Sequence, residues 1–72
     1  MKREYVVSSM IRSIGYDSTS CILEVEFNSG DVWQYSEFPQ CLWYEFKSAG
    51  SKGKFFHSNI KFEYTQKGHK VR

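Results

Sequence analysis

The chain has 72 residues, of which 18% are aromatic, 25% charged and 40% hydrophobic, and its formal net charge is +2. This composition excludes an intrinsically disordered protein, because disordered segments are poor in aromatic and β-branched residues. The length excludes two domains, since one domain usually takes about 100 residues or more. We therefore expect one small domain, 1–72, with a thin core made mainly of large aromatic side chains.

No segment predicts export or insertion into a membrane. Lys2 and Arg3 are not followed by the apolar stretch of a signal peptide. The longest apolar run, 41–44, is far shorter than the ~20 residues of a spanning helix. Two cysteines, Cys21 and Cys41, are too few for a secreted disulfide framework. These features predict a cytoplasmic protein with reduced, partly buried thiols, although one disulfide, within or between chains, stays open.

The first half of the chain predicts an antiparallel β-meander. Residues 11–16 form the first predicted strand, and the turn formers at 17–20 close it. Residues 21–27 alternate in polarity, which is typical of a strand with one buried face. A turn at 28–30 leads to a third strand, 31–36. The inward set of the middle strand is Cys21, Leu23, Val25 and Phe27.

The length of the turn decides which face of the sheet carries Trp33 and Tyr35. A two-residue loop would place both rings outside, among glutamates, whereas a three-residue loop at 28–30 would pair Val25 with Trp33 and place both rings in the core. Gly30 suits the left-handed third position of the longer loop, and serine is a poor first residue of a two-residue turn. We predict the three-residue loop.

The next segment predicts one main helix. Pro39 suits the first turn of a helix, and Gly50 is a natural stop. Between them, Leu42, Trp43, Phe46 and Ala49 form an apolar stripe at helical spacing, which favours packing of the helix across one face of the sheet.

The last third of the chain is less regular. Residues 51–54 predict a mobile basic loop. Phe56 and Ile60 are spaced as in one helical turn, although an extended segment is equally compatible. Residues 61–65 alternate and predict a C-terminal strand, and 66–72 predict a frayed basic tail. The expected fold class is therefore α+β: a small antiparallel meander, one main helix packed on the sheet, and a C-terminal strand. Nine aromatic residues are assigned to the core: Tyr16, Phe27, Trp33, Tyr35, Trp43, Phe46, Phe56, Phe62 and Tyr64.

Short motifs follow one another along most of the chain: Ser8-Ser9, Gly15-Tyr16-Asp17, Leu23-Glu24-Val25-Glu26-Phe27, Ser29-Gly30, Trp33-Gln34-Tyr35, Pro39, Ala49-x-Ser51-x-Gly53-x-Phe55-Phe56, Ile60 and Tyr64. Their order over residues 8–65 resembles the KTSC domain, a family named after its occurrence at the C-terminus of some lysyl-tRNA synthetases. It also occurs alone in short bacterial and phage-type proteins. Trp33 stands where the family usually has tyrosine, and His57 where a small polar residue is common. The resemblance implies RNA binding, which has been suggested for the family, and no catalytic residues.

Enzymatic chemistry has little support in the sequence. Pairing either cysteine with His57 as nucleophile and base would need a spatial meeting that spacing does not indicate. No cluster of His, Cys or carboxylate ligands has metal-site spacing, and no phosphate-binding glycine loop is present. We expect a non-enzymatic protein with no catalytic residues, metal site or cofactor.

Charge is distributed unevenly between the two halves of the chain. Residues 47–72 carry seven of the ten lysines and arginines but one of the eight acidic residues. Such asymmetry indicates a basic binding surface, and lysines beside an aromatic or imidazole ring suit phosphate and base contacts. The predicted RNA- or nucleotide-binding residues are Lys52, Lys54, Phe55, His57, Lys61 and Lys67. A solvated loop with core phenylalanines explains the same residues, and a protein partner or self-association is the alternative function.

Overall fold

The computed structural model describes residues 2–72, so that Met1, which the predicted domain 1–72 includes, lies outside the described residues. In this part of the chain, five antiparallel strands form one sheet, and each strand pairs with the next along the sequence. The strands are β1 (Arg3–Tyr5), β2 (Ile11–Asp17), β3 (Ile22–Phe27), β4 (Val32–Tyr35) and β5 (Gly68–Lys70).

The helical elements all lie between β4 and β5 in the sequence. They are α1 (Gln40–Ser48), α2 (Lys52–Phe55), a π-helical segment (Phe56–Ile60) that continues α2, and one 3-10 turn (Thr65–Lys67). Buried side chains of α1 and the π-helical segment join those of the sheet in one apolar cluster. The helices therefore cover one face of the sheet, and the predicted α+β class is confirmed.

The three-residue loop between β3 and β4 is confirmed. Val25 lies opposite Trp33 in the sheet register, as the longer loop requires. Gly30 has a φ of 98°, and its N–H donates to the Phe27 carbonyl oxygen over 2.9 Å. A positive φ is energetically costly for residues that have a Cβ, and glycine avoids this cost. Gly30 at this position therefore determines the register, and with it the face of the sheet that Tyr35 and Trp33 occupy.

The predicted aromatic core is correct except at Phe62. That side chain is 75% exposed, because residues 61–64 form turns and not the predicted inward-facing strand. The other eight aromatic residues lie in the core cluster or pack against it. Tyr16 illustrates the packing: its ring stacks on Trp43 with 5.5 Å between centroids, and its hydroxyl donates to the Phe38 carbonyl oxygen.

The C-terminal strand exists, but later in the chain than predicted. Gly68–Lys70 pairs with β4, and the Lys67 carbonyl accepts the Ser36 N–H over 3.0 Å. Residues 66–72, expected to fray, therefore include the fifth strand. The pairing partner of this strand lies more than 30 residues earlier, so no local pattern of three residues could reveal it.

Residues 51–54 form the start of α2 and not a mobile loop. The Ser51 hydroxyl accepts the Lys54 N–H over 3.3 Å and thereby caps the helix. The preceding helix ends at Ser48, just before Gly50 as predicted, although Ala49 is extended and Gly50 has no positive φ. Helical order then continues through Phe56 and Ile60, which settles the alternative in favour of the helix.

The sheet begins with a strand, β1, that was not predicted from the sequence. β1 pairs with β2, and Arg3 lies opposite Gly15.

The prediction of partly buried thiols is wrong. Cys21 lies in the turn before β3, Cys41 lies in the first turn of α1, and both are exposed and unpaired. Within residues 2–72, no helix combines the length and apolar character needed to cross a membrane.

Candidate functional site

Two clefts open beside each other where the loop 7–10 meets the helical elements. The larger, called the polar cleft, has a volume of about 510 Å³ and lies between residues 7–10 and 50–58. The smaller, called the aromatic cleft, has a volume of about 320 Å³ and lies between the sheet and the π-helical segment. Both volumes fall within the range of small-ligand sites.

Hydroxyl groups and one lysine characterise the polar cleft. Its lining consists of Val7, Ser8, Ser9, Met10, Gly50, Ser51, Gly53, Lys54, His57 and Ser58. No acidic side chain is among these residues. A ligand here would therefore meet hydrogen-bond donors and positive charge, which is the chemistry that phosphate oxygens need.

Local hydrogen bonds hold the two walls of the polar cleft. The Ser8 hydroxyl accepts the N–H groups of Met10 and Ile11, both over 3.2 Å, and so fixes the loop before β2. The Ser51 hydroxyl caps α2 on the opposite wall. A hydroxyl that accepts a backbone N–H still has its own proton to donate. Both serines can therefore be structural and contact a ligand at the same time.

Gly53 of α2 faces the loop 7–10 across the polar cleft. A Cβ at this position would lie 3.5 Å from the Ser8 Oγ and 3.8 Å from the Met10 Cε. A methyl group at this position would thus make ordinary van der Waals contact with the loop.

Stacked and edge-on rings form the aromatic cleft. Trp33 and Tyr35 lie on the core face of β4 with ring centroids 6.3 Å apart and planes 20° from parallel. Phe56 meets Tyr35 edge-on at 5.9 Å and Phe27 edge-on at 5.4 Å. Tyr35 is buried, whereas Trp33 is only partly buried, so an indole surface remains accessible from the cleft.

Polar groups complete the lining of the aromatic cleft. Lys61, His57 and Thr65 contribute to it together with the thioether of Met10. Burial raises the pKa of Tyr35 to about 12, so its phenol stays protonated and uncharged at neutral pH. As in the polar cleft, no carboxylate is among the lining residues.

His57 and Met10 line both clefts, and the two clefts are therefore neighbours that meet at these side chains. His57 is exposed at the junction. A ligand with an anionic end and a flat apolar end could occupy both clefts across this junction.

The acidic residues of the central strand lie on the other face of the sheet. Glu24 and Glu26 alternate with the buried Leu23 and Val25, so they point away from both clefts. Arg3 pairs with Glu24 over 3.0 Å, and the Ser13 hydroxyl donates to Glu26 over 2.8 Å. This arrangement keeps negative charge on the face opposite the clefts.

The structure brings three of the six predicted binding residues together: Lys54, His57 and Lys61 line the clefts. The other three make contacts elsewhere. The Lys52 Nζ donates to the Ala49 carbonyl oxygen over 2.5 Å, and the Lys67 Nζ pairs with Glu37 over 2.5 Å. The Phe55 ring stacks on Phe46 with 5.3 Å between centroids, so it is not an exposed stacking face.

The serines and the tryptophan that line the clefts were not among the predicted binding residues. Ser8, Ser9 and Ser51 were present in the motifs quoted above, and that signal alone could have indicated them. Trp33 was assigned to the core face, which is correct. Its partial exposure depends on how far the π-helical segment covers β4, which spacing within the strand does not indicate.

Within residues 2–72, no group of three or more His, Cys, Asp or Glu side chains could hold a metal ion. The groups available to contact a ligand at the site are its hydroxyls, its two lysines, its imidazole and its aromatic rings.

A five-stranded antiparallel meander with short helices on one face defines a small α+β domain. The chain belongs to the KTSC domain family, whose sequence model matches residues 7–64. The matched segment contains every residue that lines the polar cleft and all but Thr65 of the aromatic cleft.

Three similar proteins show where such domains occur. An uncharacterized protein of Stutzerimonas stutzeri is 41% identical over 61 residues, which cover 85% of this chain and 86% of that protein. The lysine–tRNA ligase of Trichormus variabilis is 42% identical over 60 residues, which are 81% of this chain but 11% of the ligase. The crystal structure of a KTSC domain protein from Yersinia pestis superposes with a TM-score of 0.92 at 38% identity, covering 99% of this chain and 97% of that one.

Proposed function

We propose that this protein is a small non-enzymatic module that binds RNA or a nucleotide through the polar cleft. The observation that carries the proposal is the lining of that cleft, which combines four serine hydroxyls, Lys54 and His57 without an acidic side chain. Phosphate contacts in proteins come from lysine, serine and histidine groups of this kind.

The geometry supports a defined role for each group. The Lys54 ammonium supplies a point charge for a phosphate, and its side chain is exposed and flexible enough to follow one. Ser8 and Ser51 supply hydroxyl protons from fixed positions, because each already accepts a backbone N–H. Lys61 adds a second positive charge at the neighbouring cleft.

The occurrence of a similar segment within a larger protein also supports this proposal. In one relative the matched segment is 11% of a lysine–tRNA ligase, a protein whose name makes tRNA its substrate. A short attached domain that contacts RNA would fit that setting. We also assign the binding activity to the cytoplasm, since both thiols are exposed and unpaired, as a reducing compartment permits.

Binding of a pool of short fluorescent single-stranded RNAs at 50 and 200 mM salt tests the proposal. We expect binding at low salt that weakens as salt rises, because phosphate contacts release counterions. Lys54→Ala should weaken binding and lower the slope of log affinity against log salt by about 0.7. A titration with a mononucleotide in parallel separates the two ligand sources.

Lys47→Ala is the matched control. Lys47 is an exposed lysine of α1 that lines neither cleft, so its removal should leave the salt slope nearly unchanged. Absence of binding at 50 mM salt would contradict the proposal, as would equal effects of the two substitutions. In the first case the alternative, a protein partner or a second copy of the chain, becomes the better explanation, and Phe62, 75% exposed, is a candidate contact for it.

A further inference from the structure

We infer that the aromatic cleft is a base-binding subsite, which takes one unstacked nucleobase while the adjoining phosphate lies in the polar cleft. The inference rests on the proposed function and names the part of the ligand that the second cleft would hold. Its first support is the cleft itself, which is lined mainly by aromatic side chains and has a volume typical of small-ligand sites.

The shape and chemistry of the aromatic cleft fit a flat heteroaromatic ring. The partly buried Trp33 ring lines the cleft and lies nearly parallel to Tyr35, so a flat ligand would meet rings that are already stacked. Phe56 is edge-on to Tyr35 and closes the cleft from the helical side. Stacking on such rings tolerates any base, since every base has a π-face.

Polar groups placed among the rings favour a base over a purely apolar ligand. Lys61 and His57 line the cleft and can donate to base nitrogen or carbonyl acceptors. The Thr65 hydroxyl donates to the Lys61 carbonyl, which leaves its oxygen as an acceptor toward the cleft. An aliphatic ligand would leave these polar groups without hydrogen-bond partners. An acidic peptide would not stack on the aromatic rings.

The junction between the clefts matches the connectivity of a nucleotide. His57 and Met10 line both cavities, so a ligand that filled both would place its central sugar against these two side chains. Met10 has a flexible thioether that can adapt to a ring or to a sugar. The complete site would therefore read one nucleotide: its base in the aromatic cleft and its phosphate beside Lys54.

A base in this position must be unstacked from its neighbours. The site should therefore prefer single-stranded RNA, a strand end or a mononucleotide to a base-paired helix, whose bases are unavailable. This preference separates the inference from phosphate binding alone, because a duplex presents at least as many phosphates.

Tryptophan fluorescence provides the test. In Trp43→Phe, which removes a ring that lines neither cleft, Trp33 is the remaining tryptophan. We expect single-stranded RNA to change the Trp33 emission, and an abasic oligomer of the same length to bind more weakly and leave the emission unchanged. Trp33→Leu should weaken binding of single-stranded RNA by about 5- to 150-fold without changing the salt slope.

The outcomes distinguish the two proposals. If no RNA or nucleotide binds at low salt, the proposed function itself fails. If RNA binds but the abasic oligomer or a duplex binds equally well, the base subsite is overturned and phosphate binding stands. Since Trp33→Leu could unfold a small core, Trp33→Phe and the abasic comparison test the inference in proteins that retain an aromatic ring at that position.

Discussion

Gly68 determines how closely β5 can approach β4. It lies opposite Tyr35, and a Cβ added to it would overlap the Tyr35 ring. That ring is 6% exposed and belongs to the core cluster, so it has little room to move. Glycine is required here for space and not for an unusual backbone, because the φ of Gly68 is negative.

Gly68→Ala should therefore destabilise the protein by about 1–3 kcal/mol, the usual effect of overfilling a packed site. Urea unfolding followed by circular dichroism measures the change. Gly50→Ala is the control, because nothing lies within 4 Å of a Cβ built at that exposed position. We expect the control to change stability by no more than about 0.5 kcal/mol. Equal stability of the two variants would show that Tyr35 can yield to the extra methyl group.

Among the elements, α2 depends on the cap residue before it, Ser51, more than on its sequence pattern. Its four residues, Lys52–Phe55, include a glycine, and the segment is too short for a helix of its own. Two features stabilise it: the Ser51 cap, and the burial of Phe56 and Ile60 in the segment that continues it. The helix is thus fixed at both ends by contacts that are not visible as periodicity.

Ser51→Ala should lower the free energy of unfolding by about 1 kcal/mol, since it removes the cap acceptor of the Lys54 N–H. Thermal and urea unfolding provide the measurement. Ser58→Ala alters an exposed serine within the π-helical segment and should leave stability unchanged or slightly raised, because alanine is the better helix former. A loss of the same size in both variants would mean that the cap contributes nothing specific.

The elements also show which structural features a sequence of this kind reveals. The β3–β4 register was predictable, because a local turn residue, Gly30, determines which face every side chain of Trp33–Tyr35 occupies. α2 and β5 were missed, since each is three or four residues long and is held by distant contacts. In the candidate site, the cationic residues followed from charge patterning. The role of Ser8 in the site did not follow from the sequence, because Ser8 faces Gly53 only after the chain has folded.

At the scale of the whole molecule, the sheet separates two kinds of polar surface. The clefts lie on the helical side and carry hydroxyls and cations, whereas the opposite face carries Glu24 and Glu26. Arg3 of β1 contacts both glutamates, and Arg72, just beyond β5, pairs with Glu26 over 3.1 Å. Both arginines lie outside the segment that matches the family, 7–64. The two edges of the sheet thus supply the cations that balance its central carboxylates.

This network should make the stability of the fold sensitive to acid at one identifiable residue. The hydrogen bond from Ser13 holds the pKa of Glu26 below its ordinary value of 4.5. The positive charges of Arg3 and the other nearby arginines lower this pKa further. Because the folded-state pKa is the lower one, the stabilisation is complete above the unfolded-state pKa and is lost as pH falls through the folded-state value. Glu26→Gln should therefore be clearly less stable than the original protein at pH 7, and the gap should narrow toward pH ~3. Urea unfolding of both proteins at several pH values measures this gap.

Glu45→Gln, which alters an exposed carboxylate of α1, should show a gap that does not depend on pH in this way. A Glu26→Gln deficit of constant size from pH 7 to pH 3 would mean that the side chain acts through its shape and not through its charge.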